Sequence, residues 1–238
     1  MQLKLIRIIV SALLVSLSGL AGAQTNWDNI YSKNDVSRDS LTKKGYTLLF
    51  INKDSGFDHE VQQNLIHTFF AVYPKEIRLF NHRSLKKVVI IIDPDYKGVA
   101  ATNDGIVRVN PDWMHQHPKD VDVITHEVMH IVQAYPEEAG PGWITEGIAD
   151  YVRYKVGIEN TSSGWRLPDY NSKQRYTDAY RVTARFFVWI EKNYKRNLVK
   201  KLNIAMRDKS YNTSFWAKET GKTIDQLWTA YSIDPEIE

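Results

Sequence analysis

The chain has 238 residues, 43% of them hydrophobic, which is enough for one domain with its own core and too few for several. It carries 31 Lys and Arg against 28 Asp and Glu and has no cysteine. A balance this even gives no support to a nucleic-acid footprint, and the lack of cysteine excludes disulfide staples, so packing alone must hold the fold.

The first segment reads as an export signal. Lys4 and Arg7 precede an apolar run, Ile8 to Leu20, that is too short and too broken by Ser for a membrane span. Ala21-Gly22-Ala23 is the small-residue pattern of a signal-peptidase site. The expectation is a cleavable signal over 1–23, a secreted or periplasmic chain starting near Gln24, and no stable membrane anchor. Losing Lys4 and Arg7 leaves 29 basic and 28 acidic residues.

Residues 24–44 are polar without clear periodicity and read as an N-terminal arm. YTLLFINKD (46–54) predicts a strand. Residues 58–80 predict a helix, with Val61, Leu65, Phe69 and Val72 at three- and four-residue steps, and Pro74 is expected to kink or split it. KKVVIIIDP (86–94) predicts a buried central strand. GVAAT and GIVRVNP flank Asn103-Asp104-Gly105 and predict two short strands joined by a tight turn. Helices are predicted over 118–135, 142–157, 174–195, 197–208 and 223–232, the last opening with Thr223 and Gln226 in capping-box spacing. Strands and helices followed by helices alone argue an α+β fold, with one catalytic domain over 45–238.

The chemistry centres on THEVMHIVQAY (125–135). On a helix His126 and His130, four apart, share a face and can point imidazole nitrogens at one ion. Glu127 beside the first of them is placed to take a proton from a water held there, so the run supplies two metal ligands and a base. A solvated helix carrying two histidines is the plainer reading, and a third ligand is needed to displace it. GWITEGIADY (142–151) offers Glu146, with fifteen residues between it and His130, on a second helix that a short turn could fold back onto the first. Gly147 would allow close helix packing. Asp150, four after Glu146, is placed to accept a hydrogen bond from the outer nitrogen of a ligand histidine. His115 and His117 could add a proton donor at the rim, although a solvated loop is the simpler account. His59, His67 and His82 read as structural or surface residues, and Glu137 and Glu138 as solvated.

H-E-x-x-H followed by W-I-T-E-G-I-A resembles the gluzincin metallopeptidases. THEVMHIVQ, PGWITEGIADYVRYKVG, YRVTARFFVWIE and GKTIDQLWTAY together resemble the basic secretory protein family of plant and bacterial peptidases, over most of residues 85–232. The resemblance implies a zincin-like fold: a small mixed sheet, an active-site helix and a mainly helical C-terminal half. It implies one catalytic Zn2+ held by His126, His130 and Glu146, with Glu127 as general base. The E-G-x-A context favours Glu146 over Asp150 as the direct ligand. The interval from His130 to Glu146 is shorter than in thermolysin or the aminopeptidases, and the mature chain is not basic.

The implied reaction is hydrolysis of a peptide or protein substrate by a monomeric enzyme. The oxyanion needs a donor besides zinc, and Tyr151, Tyr154, Tyr170, Tyr176 and Tyr180 are available. Tyr180 is the leading candidate, with core packing against Phe186 or Trp189 as its alternative. GIVRVN (105–110) is expected to pair with substrate backbone as an edge strand. Two other classes stay open: a zincin-fold binding protein without catalysis, and a zinc hydrolase acting on a non-peptide amide of the cell wall.

Overall fold

The computed structural model describes residues 30–237. The expected signal over 1–23, and the start of the arm, lie outside the described residues. Five strands form one mixed sheet: β1 (Ser37–Lys43), β2 (Tyr46–Asn52), β3 (Lys87–Ile92), β4 (Ala100–Asn103) and β5 (Ile106–Val109). Their spatial order is β1-β2-β3-β5-β4. Helix α1 (His59–Phe80) makes the crossover between the parallel strands β2 and β3. The remaining helices follow the sheet: α2 (Pro111–Gln116), α3 (Val123–Gln133), α4 (Gly142–Val156), α5 (Tyr180–Asn193), α6 (Leu198–Arg207), α7 (Ser214–Thr220) and α8 (Ile224–Ile233). A mixed α+β architecture with a helical C-terminal half is what results. Among the described residues no helix is long and apolar enough to cross a membrane.

Both hairpins turn on two residues of positive φ. Lys44 and Gly45 (φ 51° and 81°) join β1 to β2, and Asp104 and Gly105 (φ 45° and 79°) join β4 to β5. Left-handed backbone at both turn positions matches the twist of the flanking strands. The stretch expected to be an arm therefore contains a strand. β1 (SRDSLTK) is mostly exposed, so it carries no apolar alternation, and its polar side chains suit an outer edge.

Pro74 does not split α1, which runs unbroken from His59 to Phe80. A proline inside a helix costs about 3 kcal/mol. Phe69, Val72, Tyr73, Ile77 and Phe80 are buried on both sides of it, and each such side chain contributes about 1.5–3 kcal/mol. The helix expected over 118–135 starts only at Val123, because the chain leaves α2 at His117 through turns. It ends at Ala134 in the left-handed conformation, just before Pro136. The helix expected over 174–195 is a short 3-10 turn, Tyr176–Asp178, and then α5, divided at Ala179 (φ 63°). Thr223 and Gln226 form the expected capping box at the start of α8.

Packing brings α3, α4 and α5 side by side. A Cβ on Gly147 would come within 2.3 Å of Thr183 Cγ2 and 3.1 Å of Phe187, so this glycine is what lets α4 lie against α5. Asp122, at the start of α3, accepts from Thr125 Oγ1 and from the backbone N–H groups of Ile158 and Glu159, which ties α3 to the loop after α4.

Candidate active site

The floor of the main cleft is made by α3 and α4. His126 Nε2 lies 3.1 Å from Glu146 Oε2 and 3.2 Å from His130 Nε2, and His130 Nε2 lies 3.5 Å from Glu146 Oε2. These three side chains form a group that could hold a metal ion.

The outer nitrogens fix the histidines. His126 Nδ1 donates to Asp150 Oδ1 at 2.7 Å, and His130 Nδ1 donates to Gln133 Oε1 at 2.8 Å. Gln133 is oriented in turn by its Nε2, which donates to the Thr145 carbonyl at 2.8 Å. With Nδ1–H committed on both rings, each ring turns its Nε2 toward the Glu146 carboxylate. Three electron-pair donors facing one point require positive charge between them. Electrostatics follow the geometry: burial works against charge on His126, but hydrogen bonds to Asp150 and Glu146 lift it to about 10. Burial also opposes charge on Glu146, yet its bonds to His126 and His130 hold the carboxyl well below the usual range.

Glu127 lines the same cleft with its carboxylate beside the edge of the sheet. Thr102 Oγ1 on β4 lies 2.7 Å from Glu127 Oε2 and 3.0 Å from the Glu127 carbonyl, donating toward both oxygens. Thr102 carries no sequence signal; its place on a strand facing the helix is set by tertiary packing. Tyr96 is a second cleft residue without a sequence signal, with its hydroxyl donating to the Ala100 carbonyl at 3.1 Å.

Tyr180 does not pack in the core. The residue is 54% exposed and lines the cleft, and its ring stacks on His126 at 6.0 Å between centroids. The Glu146 charge raises its phenol, with burial second, so it stays an O–H donor. The other four tyrosines point elsewhere. Tyr151 donates to Glu191, Tyr176 to Asp225, Tyr170 packs against Trp228 and Tyr231, and Tyr154 is exposed beside Lys155.

The expected substrate-pairing strand is corrected. β5 is hydrogen-bonded on both sides, to β3 and to β4, so it has no free edge. β4 is the edge, and its Ala100, Ala101 and Thr102 line the cleft. His115 pairs with Asp54 at 3.2 Å, and His117 stacks on Trp113 at the far rim.

Three solved structures similar to the chain are M1 zinc metallopeptidases. A mutant enzyme from Deinococcus radiodurans aligns at 11% identity over 83% of this chain and 50% of its own, with a TM-score of 0.47. A two-domain mutant bound to L-tryptophan aligns at 11% identity over 82% and 51%, with a TM-score of 0.49. A Deinococcus radiodurans mutant bound to a Tyr-Ser-Ala substrate aligns at 13% identity over 82% and 50%, with a TM-score of 0.47. The chain spans about half the length of each. No curated protein sequence matches it. The profile of one family, described as BSP, peptidase of plants and bacteria, matches residues 31–231, and the chain belongs to that family.

Proposed function

We propose that this chain is an exported zinc-dependent peptidase with a zincin-like active-site helix, in which His126, His130 and Glu146 hold the ion and Glu127 is the general base. One observation carries the reading: three ligand atoms converge on the cleft floor at 3.1, 3.2 and 3.5 Å from one another. Zinc bonds of about 2.0–2.1 Å in a tetrahedron give ligand–ligand edges of about 3.3–3.4 Å, so the triangle fits one tetrahedral face and leaves the cleft side open. Two imidazoles and a carboxylate are also the donor set that suits zinc.

When bound, zinc would polarise a substrate carbonyl and lower the pKa of a water in the cleft. Glu127 accepts the proton of the attacking water and passes it to the leaving amine. Thr102 holds Oε2 of that carboxylate, and no donor among the described residues bonds Oε1, which is left for the water. Tyr180 donates its phenolic hydrogen to the developing oxyanion. Asp150 and Gln133 keep both histidines with their Nε2 atoms facing inward. The free edge of β4 takes the extended substrate by backbone pairing, which tolerates varied sequence.

Casein digestion by the purified chain, abolished by a chelator and restored by about one equivalent of Zn2+, is the expected result. Metal-independent digestion would remove the zinc mechanism. For export, the expected mature N-terminus is Gln24, read by mass spectrometry of protein expressed from the full sequence.

A further inference from the structure

The cleft does not end at the histidines. Trp113, Asp120, Trp165 and Arg181 line both the cleft and an adjoining open hollow of about 480 Å3. The hollow's walls are the half-buried indoles of Trp113 and Trp165. Its only carboxylate among the described residues is Asp120, and both oxygens of that group are engaged. Oδ2 accepts from Trp113 Nε1 at 2.9 Å, and Oδ1 accepts from the Arg153 guanidinium, which lies over the Trp165 ring.

The cations in the hollow are different. Arg181 and Lys119 line it, are exposed, and make no hydrogen bond or ion pair among the described residues. Arg181 directly follows Tyr180, so one helix start brings a phenol to the histidines and a guanidinium to the hollow. Glu127, Glu146 and Asp150 thus line the cleft, and the hollow that adjoins it carries the two cations beside tryptophan faces.

We propose that the Trp113–Trp165 hollow is a substrate subsite that takes a carboxylate, bound by Arg181 with Lys119 in support. The proposal rests on the peptidase reading above. Guanidinium binds carboxylate through paired N–H donors in a planar fork, and the indole faces that border the hollow offer apolar surface beside that contact. The same chemistry is offered by an Asp or Glu side chain near the scissile bond and by the C-terminus of a short peptide.

Two matched peptide pairs separate these sources and test the site. One pair differs as Glu against Gln at each position flanking the cleaved bond, and the other as free C-terminal acid against amide. The wild-type chain is expected to cut the carboxylate member of one pair about tenfold better in kcat/KM, with the ratio shrinking in added salt. Arg181→Met combined with Lys119→Met is expected to bring that ratio close to one. Preference for Glu over Gln assigns the side chain, and preference for acid over amide assigns the terminus. Wild-type ratios near one in both pairs, or a ratio that survives in the double variant, overturn the proposal. If no peptide is cut, the peptidase reading has failed, and the hollow is then read by calorimetry with the same pairs. Tighter binding of the carboxylate that the double variant loses supports the subsite, and equal binding overturns it.

Discussion

Glu146 on α4 and Glu76 on α1 carry the same side chain in opposite surroundings. Glu146 faces two imidazoles at the cleft floor, and they hold its carboxyl well below the usual range. Glu76 lies wholly inside the core beneath α3, and neither of its oxygens has a hydrogen-bond partner among the described residues. Burial pushes it well above the usual carboxylate range; the His126 charge counters this and Asp122 adds to it. Desolvation acts on both groups in the same sense, so the difference comes from partners. A carboxylate hydrogen-bonded by imidazoles is held in its charged form, and one buried with no hydrogen-bond partner is pushed toward its protonated form at a cost to the fold.

The comparison is sharpened by removing carboxylates one at a time from each region, because the cleft is expected to lose function and the core to gain stability. The largest effect is expected at Glu127→Gln, where turnover should fall about a hundred- to ten-thousand-fold while metal content and Tm are unchanged. Normal turnover in this variant would end its assignment as the base. Glu146→Ala should weaken zinc binding by more than Asp150→Asn, for which about ten- to a hundredfold is expected because it only orients His126. Zinc titration of the two variants gives the order directly, and the reverse order would exchange their roles.

Tyr180→Phe keeps the ring over His126 and removes only the phenolic donor, so a kcat loss near a hundredfold is expected, with normal zinc content. An unchanged kcat would rule Tyr180 out as the oxyanion donor. The smallest effect belongs to the core. A carboxyl whose folded pKa is raised contributes stability that is fully present below its unfolded value, about 4.3, and is lost as pH rises through the folded value. Glu76→Gln removes that loss, so its Tm should exceed the wild type's by about 2–4 °C at pH 8 and by little at pH 4. A Tm difference independent of pH would show that Glu76 does not titrate on unfolding.

Much of the site could be read from the chain because it is built on local geometry. His126 and His130 needed only the pitch of one helix to share a face, and Glu146 and Asp150 needed the same pitch on the next. Apolar spacing likewise marked α1, the central strand β3 and the C-terminal helices, and the Asp104-Gly105 turn marked its hairpin. β1 has no apolar alternation because Leu41 is its one apolar residue, and α7 shows no period because seven residues hold too few turns.

By itself, then, the sequence determined which residues could bind a metal and roughly where helices and strands lie, since capping, turn chemistry and periodicity act within a few residues. Tertiary structure alone decided that β4 and not β5 is the free edge, that Thr102 meets Glu127, that Gly147 faces Thr183, and that Tyr180 turns into the cleft. The first is a strand order, and the other three are contacts between separate elements. Hydrogen bonding across the sheet and close packing of helices fix such contacts, and neither leaves a local pattern in the residues that take part.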